Sequence, residues 1–540
     1  QRQMCIRDSM KTYQKTVVFM ISSCVAAFNA GAEIVHITTP GTSLVIDAEK
    51  GKDAKFVYYG DKIGDAEIDA IKSSGTPYLS AYPTYGMSTV GETALSAVHT
   101  DGNMTLDLAV ENVTATKDGD SEVTTIALKD KYYPFYVNLN YRTYPGEEVI
   151  ETWTEISHKE KGKVDLTQFA SGYLPVRYGD VWLSQLYGSW ANEGRVDEAP
   201  LNHGMKIIKN KDGLRNSHTA HSEVMLSLDG KAQENSGRVI GAALCYSGNY
   251  KLRVDTDDSN YHHFFAGINE ENSEYHLPKD EVFVTPPLAL TYSDEGLSGV
   301  SRNFHKWGRN HKIAHGDSLR KILLNSWEGV YFDINEEGMA QMMEDIASMG
   351  GELFVMDDGW FGKRDDDRSG LGDWFPNEKK LGCSLKELGD RIVGLGMKFG
   401  IWFEPECISE DSDLYRAHPD WAVKIPGRKP NLSRHQMILD FSRKDVQDYI
   451  LERLCSVLAS APISYVKWDF NRSICDKYST SLPAEKQGEM AHRFMLGLYR
   501  VLDGMLSAYP HLLLEGCSGG GGRYDAGMMY YSPQIWCSDN

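Results

Sequence analysis

Between Leu319 and Asp539 the chain repeats one pattern six times: a short apolar run stops at acids, aromatics or small residues, and a helical stretch or long loop follows. Ile322-Leu323-Leu324 runs into Asn325-Ser326-Trp327, Glu352 to Val355 into Met356-Asp357-Asp358-Gly359-Trp360, and Lys398 to Ile401 into Trp402-Phe403-Glu404-Pro405-Glu406. Tyr465-Val466 leads into Lys467-Trp468-Asp469-Phe470-Asn471-Arg472, Leu512-Leu513-Leu514 into Glu515-Gly516-Cys517-Ser518-Gly519, and Gln534 to Cys537 into Ser538-Asp539. The segments between carry a helical period, with Met339, Met342, Met343 and Ile346 on one face and Val446, Ile450 and Leu454 on another. Further helices are expected near 385–395 and 485–506. Ser442 with Asp445 predicts a capping box opening the helix that holds Val446.

Strands alternating with helices predict a parallel sheet. A doubly wound open sheet competes with a barrel, but it would not usually load every strand end with chemistry. In a (β/α)8 TIM barrel those ends converge on one face, where catalysis is found. Residues 319–540 are therefore expected to form a barrel, which stops at Asn540 two strands short of eight and reads as a truncated product.

Residues 33–297 have another texture. Phe135 to Tyr141 alternates apolar and polar, Val149 to Thr154 is β-branched and aromatic, and Asp101-Gly102-Asn103 and Asp229-Gly230 punctuate strands. Many strands without a helical period predict a large antiparallel sandwich. The bland role of this region is scaffolding, but its Gly188 to Arg195 segment sets Trp190 among polar groups, where neither strand nor core is expected, and could reach a ligand. Residues 298–318, with Phe304, Trp307 and His311, read as a helical linker.

Residues 1–32 read as a leader: QRQMCIRDS before Met10 resembles adapter sequence, and Lys11, Lys15, an apolar run and Ala30-Gly31-Ala32 have the layout of a secretory signal peptide. That predicts export to the periplasm or medium. Ile21-Ser22-Ser23-Cys24 also fits a lipobox, which would leave Cys24 lipidated. The run is too short to span a membrane.

The 76 acids against 56 Lys and Arg, for a net charge of -20, argue against nucleic acid as a partner. The 11 Trp and 29 Tyr suit a protein that stacks rings on weakly polar ligands such as sugars, although most belong to the core. Nine Cys without paired spacing give neither a disulfide framework nor a zinc site.

Acids at the ends of the fourth and sixth strands, Asp469 and Asp539, flank a barrel mouth, the equipment of glycoside hydrolysis. Lys467 and Arg472 beside Asp469 are expected to keep it ionised, while Asp539 has no adjacent cation and can hold its proton longer. Asp357-Asp358 reads as an exposed pair that accepts hydrogen bonds from neighbouring sugar hydroxyls. A metal there is disfavoured, because Asp365-Asp366-Asp367 alternates with Lys363, Arg364 and Arg368 as a solvated loop of local ion pairs. Trp327 and Trp402 either wall the pocket or belong to the core. Glu404, Glu406 and Glu515 also sit at strand ends and are not excluded as catalysts.

The ordered motifs Met356 to Gly362, Trp402 to Glu406, Lys467 to Arg472, Glu515 to Arg523 and Trp536 to Asp539 resemble those of the bacterial α-galactosidases of glycoside hydrolase family 36. The likeness covers about 319–540 and continues more loosely through Tyr82 to Gly86, Gly188 to Arg195 and Tyr292 to Leu297. It implies a β-supersandwich ahead of the barrel, a small β-domain after it, often a tetramer, and no cofactor. It implies a retaining mechanism with Asp469 as nucleophile and Asp539 as acid/base. Asp357 and Asp358 would contact the hydroxyls that distinguish galactose, Lys467 and Arg434 other hydroxyls, and Cys517 and Gly519 the 2-position. Trp327 and Trp402 would be walls, and the Trp190 loop would reach the site. The substrate would be an oligosaccharide such as melibiose or raffinose. A raffinose-synthase-like transgalactosylase, an α-N-acetylgalactosaminidase and a non-catalytic sugar-binding remnant are the alternatives.

Overall fold

The computed structural model describes residues 34–540 apart from 76–77, 87–89, 178 and 211–212. The predicted leader, with Cys5 and Cys24, lies outside the described residues.

Residues 34–293 form three antiparallel sheets of four, six and ten strands. In the ten-stranded sheet Leu108–Asp118, Ser121–Asp130, Phe135–Thr143 and Val149–His158 run as a meander. Phe135, Val137, Leu139 and Tyr141 recur at every second position and are all buried, the period a half-covered strand requires. The helix Gly296–Trp307 leads out and is fastened back to the sheet: Trp307 Nε1 donates to Glu151 Oε1 at 3.0 Å, and Lys312 Nζ pairs with the same carboxylate at 2.8 Å.

Six parallel strands follow: β1 (Leu323–Asn325), β2 (Leu353–Met356), β3 (Lys398–Phe403), β4 (Ile463–Trp468), β5 (Leu513–Gly516) and β6 (Gln534–Ile535). They pair strictly in sequence order, all parallel. A doubly wound sheet reverses its strand order at a switch point, and this one does not, so the sheet curls as an incomplete barrel. The connecting helices are α1 (Glu336–Ser348), α2 (Leu385–Gly394), α3 (Lys444–Ser460), α4 (Met490–Ala508) and the single turn α5 (Met528–Tyr531). Leu323, Leu353, Val355, Tyr465 and Leu513 pack together as the lowest layer inside the curl. Gly400 leaves room for that layer, since a Cβ there would lie 2.8 Å from Val355 Cγ2 and 3.0 Å from Tyr465 Cδ1.

The expected capping box of α3 is absent. Ser442 Oγ donates to the buried Asp440 carboxylate instead, and the helix begins at Lys444 behind Arg443. Local spacing offered a cap, but a buried acid two residues upstream held the hydroxyl more strongly. The predicted face of Val446, Ile450 and Leu454 is buried. No helix among the described residues is long and apolar enough to cross a membrane.

Candidate active site

Strand alternation builds the site. Tyr465 belongs to the internal layer, so Lys467 and Asp469, two and four residues on, point inward above it. The same count carries Leu353 and Val355 up to Asp357, Leu513 up to Glu515 and Cys517, and Gly400 up to Trp402 and Glu404.

Asp469 extends the β3–β4 ladder by one residue, its amide donating to the Phe403 carbonyl at 2.8 Å. Asp469 is 5% exposed, and its carboxylate accepts from Phe470 N at 2.9 Å and Trp402 Nε1 at 3.1 Å. Burial pushes this acid upward, but the charges of Lys467 and Arg434, with hydrogen bonds from Asn471 and Trp402, outweigh it and hold Asp469 below the usual carboxylate range. The expected second cation was Arg472. That residue instead turns its guanidinium to the backbone carbonyls of Gln436 and Asn431, and Arg434, distant in sequence, takes its place. Arg434 stands in the left-handed region at φ 52°, on the excursion between β3 and α3.

The acid pair after β2 is buried, contrary to the expectation of an exposed pair: Asp357 and Asp358 are 2% and 3% exposed. Asp357 Oδ2 accepts from Asn325 Nδ2 at 2.6 Å and Lys467 Nζ at 2.9 Å. Lys467 lies over the Trp536 ring at 3.9 Å, so a cation of β4 is clamped between an acid of β2 and an aromatic beyond β6. Arg364 corrects the reading of its segment as a solvated loop. Its side chain is 1% exposed on a double hydrogen bond to Asp358, 2.9 Å to Oδ1 and 2.8 Å to Oδ2, and its Nη1 donates to Ser369 O. Asp365 and Asp366 are exposed as expected.

Of the three Glu residues left open, Glu406 is fully committed, held by both terminal nitrogens of Arg523 at 2.7 and 3.0 Å and by Trp468 Nε1 at 2.8 Å. Glu404 is buried close enough to Asp469 to feel its charge. Glu515 is buried beside Lys467 and is pushed up to about 7, chiefly by burial. Cys517 is buried at the end of β5, and its thiol is kept far above its ordinary value by burial and by the nearby charges of Asp469 and Asp539. The same thiol thus lies within the field of both acids.

Trp402 is buried against Phe361 and Trp374 and enters the site by its indole N–H. Trp327 is half-buried at the end of β1, edge-on to Tyr331 and Phe332.

The sandwich supplies the remaining wall. The loop between Trp182–Tyr187 and Arg195–Pro200 reaches the tip of β6, where Trp190 Nε1 donates to the exposed Asp539 at 2.8 Å and Ser538 Oγ donates to Glu193 Oε2 at 2.7 Å. Gly520, at φ +75°, admits this approach, since a Cβ there would lie 2.5 Å from Glu193 Oε1 and 2.9 Å from Ser538 Cα. Four consecutive sandwich residues grip the glycine-rich loop after β5. Arg215 donates to Ser518 O at 2.9 Å, Ser217 Oγ to Gly521 O at 2.6 Å, His218 Nε2 meets Gly519 O at 2.8 Å, and Asn216 Nδ2 donates to Asp525 Oδ2 at 2.9 Å. No sequence motif announced this 215–218 contact.

Among the described residues, one group, Asp165, Glu274 and His276, brings three ligand-type atoms within 4.8 Å of one another. It lies on the sandwich, and Lys163 Nζ already stands 3.2 Å from Asp165 and 3.1 Å from His276 Nδ1.

A curled parallel sheet with acids along its carboxyl rim is the frame of barrel enzymes that work at their mouths. Comparison with known proteins narrows the class. Residues 52–278 match the glycosyl hydrolase family 36 N-terminal domain and residues 282–540 match Melibiase. The chain is 39% identical over 549 residues to the α-galactosidase AgaA of Geobacillus stearothermophilus, covering 95% of this chain and 75% of that one. It is 38% identical over 550 residues to the bifunctional α-galactosidase/sucrose kinase AgaSK of Mediterraneibacter gnavus, covering 95% and 57%. The crystal structure of AgaA superposes with a TM-score of 0.89 at 36% identity, over 94% of this chain and 75% of that one. AgaA variants have been solved in complex with stachyose and with raffinose. The chain thus spans between 57% and 75% of the length of these two curated relatives. It belongs to glycoside hydrolase family 36.

Proposed function

We propose that the protein is a retaining α-galactosidase that releases terminal non-reducing α-D-galactosyl residues from oligosaccharides such as melibiose or raffinose. The observation that carries this is the Asp469 carboxylate: buried, held low by Lys467 and Arg434, oriented by Trp402 and Phe470 N, and set at the barrel mouth, with Cys517 within reach of both its charge and that of Asp539. Asp469 attacks the anomeric carbon while Asp539 gives its proton to the departing oxygen, and a galactosyl ester forms on Asp469. Asp539, now a base, takes a proton from water, whose oxygen releases the sugar with its configuration kept.

Asp357 and Asp358 accept from the hydroxyls that distinguish galactose. Lys467 and Arg434 donate to others, Cys517 and Gly519 lie at the 2-position, and Trp327, Trp402 and Trp190 bound the pocket. Stachyose and raffinose, the ligands of the AgaA complexes, end in the sugar this reading requires. Export, on the Met10 to Ala32 pattern, and assembly as a homotetramer belong to the same reading.

Asp469→Asn tests it. Turnover of an aryl α-galactoside is expected to fall at least about a thousandfold with the fold intact, and proton NMR of the unmutated protein should show α-galactose as the first product. Retained turnover removes Asp469 from the role, and β-galactose appearing first excludes retention.

A further inference from the structure

Glu404 stands one residue beyond β3, beside Asp469: Phe403 pairs with Trp468 in register, and the next amide, that of Asp469, donates to the Phe403 carbonyl. Glu404 is 1% exposed. Its Oε1 accepts two hydrogen bonds, from Asn471 N at 2.6 Å and from Gln436 Nε2 at 2.7 Å. Asn471 in turn accepts the Gly519 amide on its Oδ1 at 2.7 Å. One carboxyl therefore joins the turn bearing Asp469, the excursion bearing Arg434 and, through Asn471, the glycine-rich loop.

A neutral amide could accept those two bonds at lower desolvation cost, so the choice of an acid calls for a reason in charge. The groups that face Glu404 are Asp469 from β4, Arg434 from the excursion, Arg364 from the loop after β2, and the Cys407 thiol from its own segment. Arg364 is engaged with Asp358, and Arg434 is shared with Asp469.

We infer that Glu404 is a positioning residue of the glycosylation step, holding the Asp469 turn against the Gly519 loop and forming with Asp469 an acid pair whose charge follows the state of the nucleophile. This rests on the reading of Asp469 as nucleophile. Burial and the Asp469 charge push Glu404 up to about 7, while Asp469 stays below the usual range, so below neutrality the pair carries one charge, on Asp469. In the step, an Asp469 oxygen lone pair forms the bond to the anomeric carbon, and the leaving group departs with the electrons of the broken bond. The resulting ester is neutral, the repulsion on Glu404 disappears, and its proton passes to solvent. A charge on Glu404 also stabilises the cationic sugar between the two states.

The test uses 5-fluoro-α-galactosyl fluoride and intact-protein mass. Fluoride leaves without protonation, so Asp539 does not shape the profile. The unmutated protein is expected to label roughly fivefold faster at about pH 8 than at about pH 6. Glu404→Gln keeps both acceptor contacts and should label within roughly threefold of the unmutated rate at about pH 6, with a flat profile. Glu404→Ala should label about a hundredfold more slowly, with galactose affinity by calorimetry changed less than about fivefold. Matching profiles for the unmutated protein and Glu404→Gln overturn the inference, and so does a full rate in Glu404→Ala. Should Glu404→Ala not fold, the Glu404→Gln profile decides alone. If the unmutated protein takes up no label, the nucleophile reading fails, and this inference with it.

Discussion

Trp190 Nε1 donates to Asp539 Oδ2 at 2.8 Å, a bond between residues 349 positions apart that joins the sandwich to the tip of the sixth barrel strand. Asp539 is exposed, so little else fixes its rotamer. Trp190→Phe keeps a ring and removes the donor. The expected result is a loss of about tenfold in kcat with KM changed less than about threefold, whereas Trp190→Ala should also raise KM. Steady-state kinetics on raffinose separates the two.

Arg364 binds Asp358 through a planar fork that an ammonium cannot reproduce. Arg364→Lys should fold and raise KM for an α-galactoside about tenfold. Arg364→Ala leaves a buried carboxylate unpaired and should lose about 3–5 kcal/mol in urea unfolding. A KM for Arg364→Lys equal to that of the unmutated protein would show that the fork does not position Asp358.

Glu515 has its proton affinity raised to about 7 from 4.5, chiefly by burial. A carboxyl raised in the folded state binds more protons there than in the unfolded chain between these values, so stability falls as pH climbs from about 4.5 to about 7 and stays reduced above. Glu515→Gln removes that loss. Relative to the unmutated protein, the variant should gain about 2–3 kcal/mol on going from about pH 5 to about pH 8, read by urea unfolding at both values. An equal difference at the two pH values would refute it.

Lys467 neutralises Asp357 at 2.9 Å and packs on Trp536. Lys467→Met preserves the stem and strands the Asp357 charge, so it should lose about 3 kcal/mol or more of stability and abolish measurable galactose binding. Thermal unfolding and calorimetry report the two effects.

The barrel was legible because its signals are local. Six apolar runs with loaded ends are six strands, and the acids expected at their carboxyl ends, Asp357, Asp469 and Asp539 among them, stand just beyond β2, β4 and β6. Distant pairings were not legible. Arg472 is adjacent to the Asp469 turn in sequence yet turned away, and Arg434, 35 positions before Asp469, faces it. Asp358 looked exposed because nothing in a string of residues says that Arg364 folds back onto it. Ser442 looked like a cap by its spacing to Asp445, and nothing local says that Asp440 is buried and takes its hydroxyl. The division of residues 34–293 into three sheets depends on partners far apart in sequence, which alternation cannot name. Trp190 stood out as an aromatic in a polar loop, but the 215–218 segment, without any unusual composition, could be found only by its contacts.

The grip of residues 215–218 on the glycine-rich loop means that the floor of the candidate site is shared property. Prising the two halves apart would strip the Ser518, Gly519 and Gly521 carbonyls of their donors and let the loop beside Cys517 drift. A barrel excised from its sandwich should therefore lose the shape of its mouth before its strands, and swapping front domains between relatives would carry one wall of the candidate site along with them.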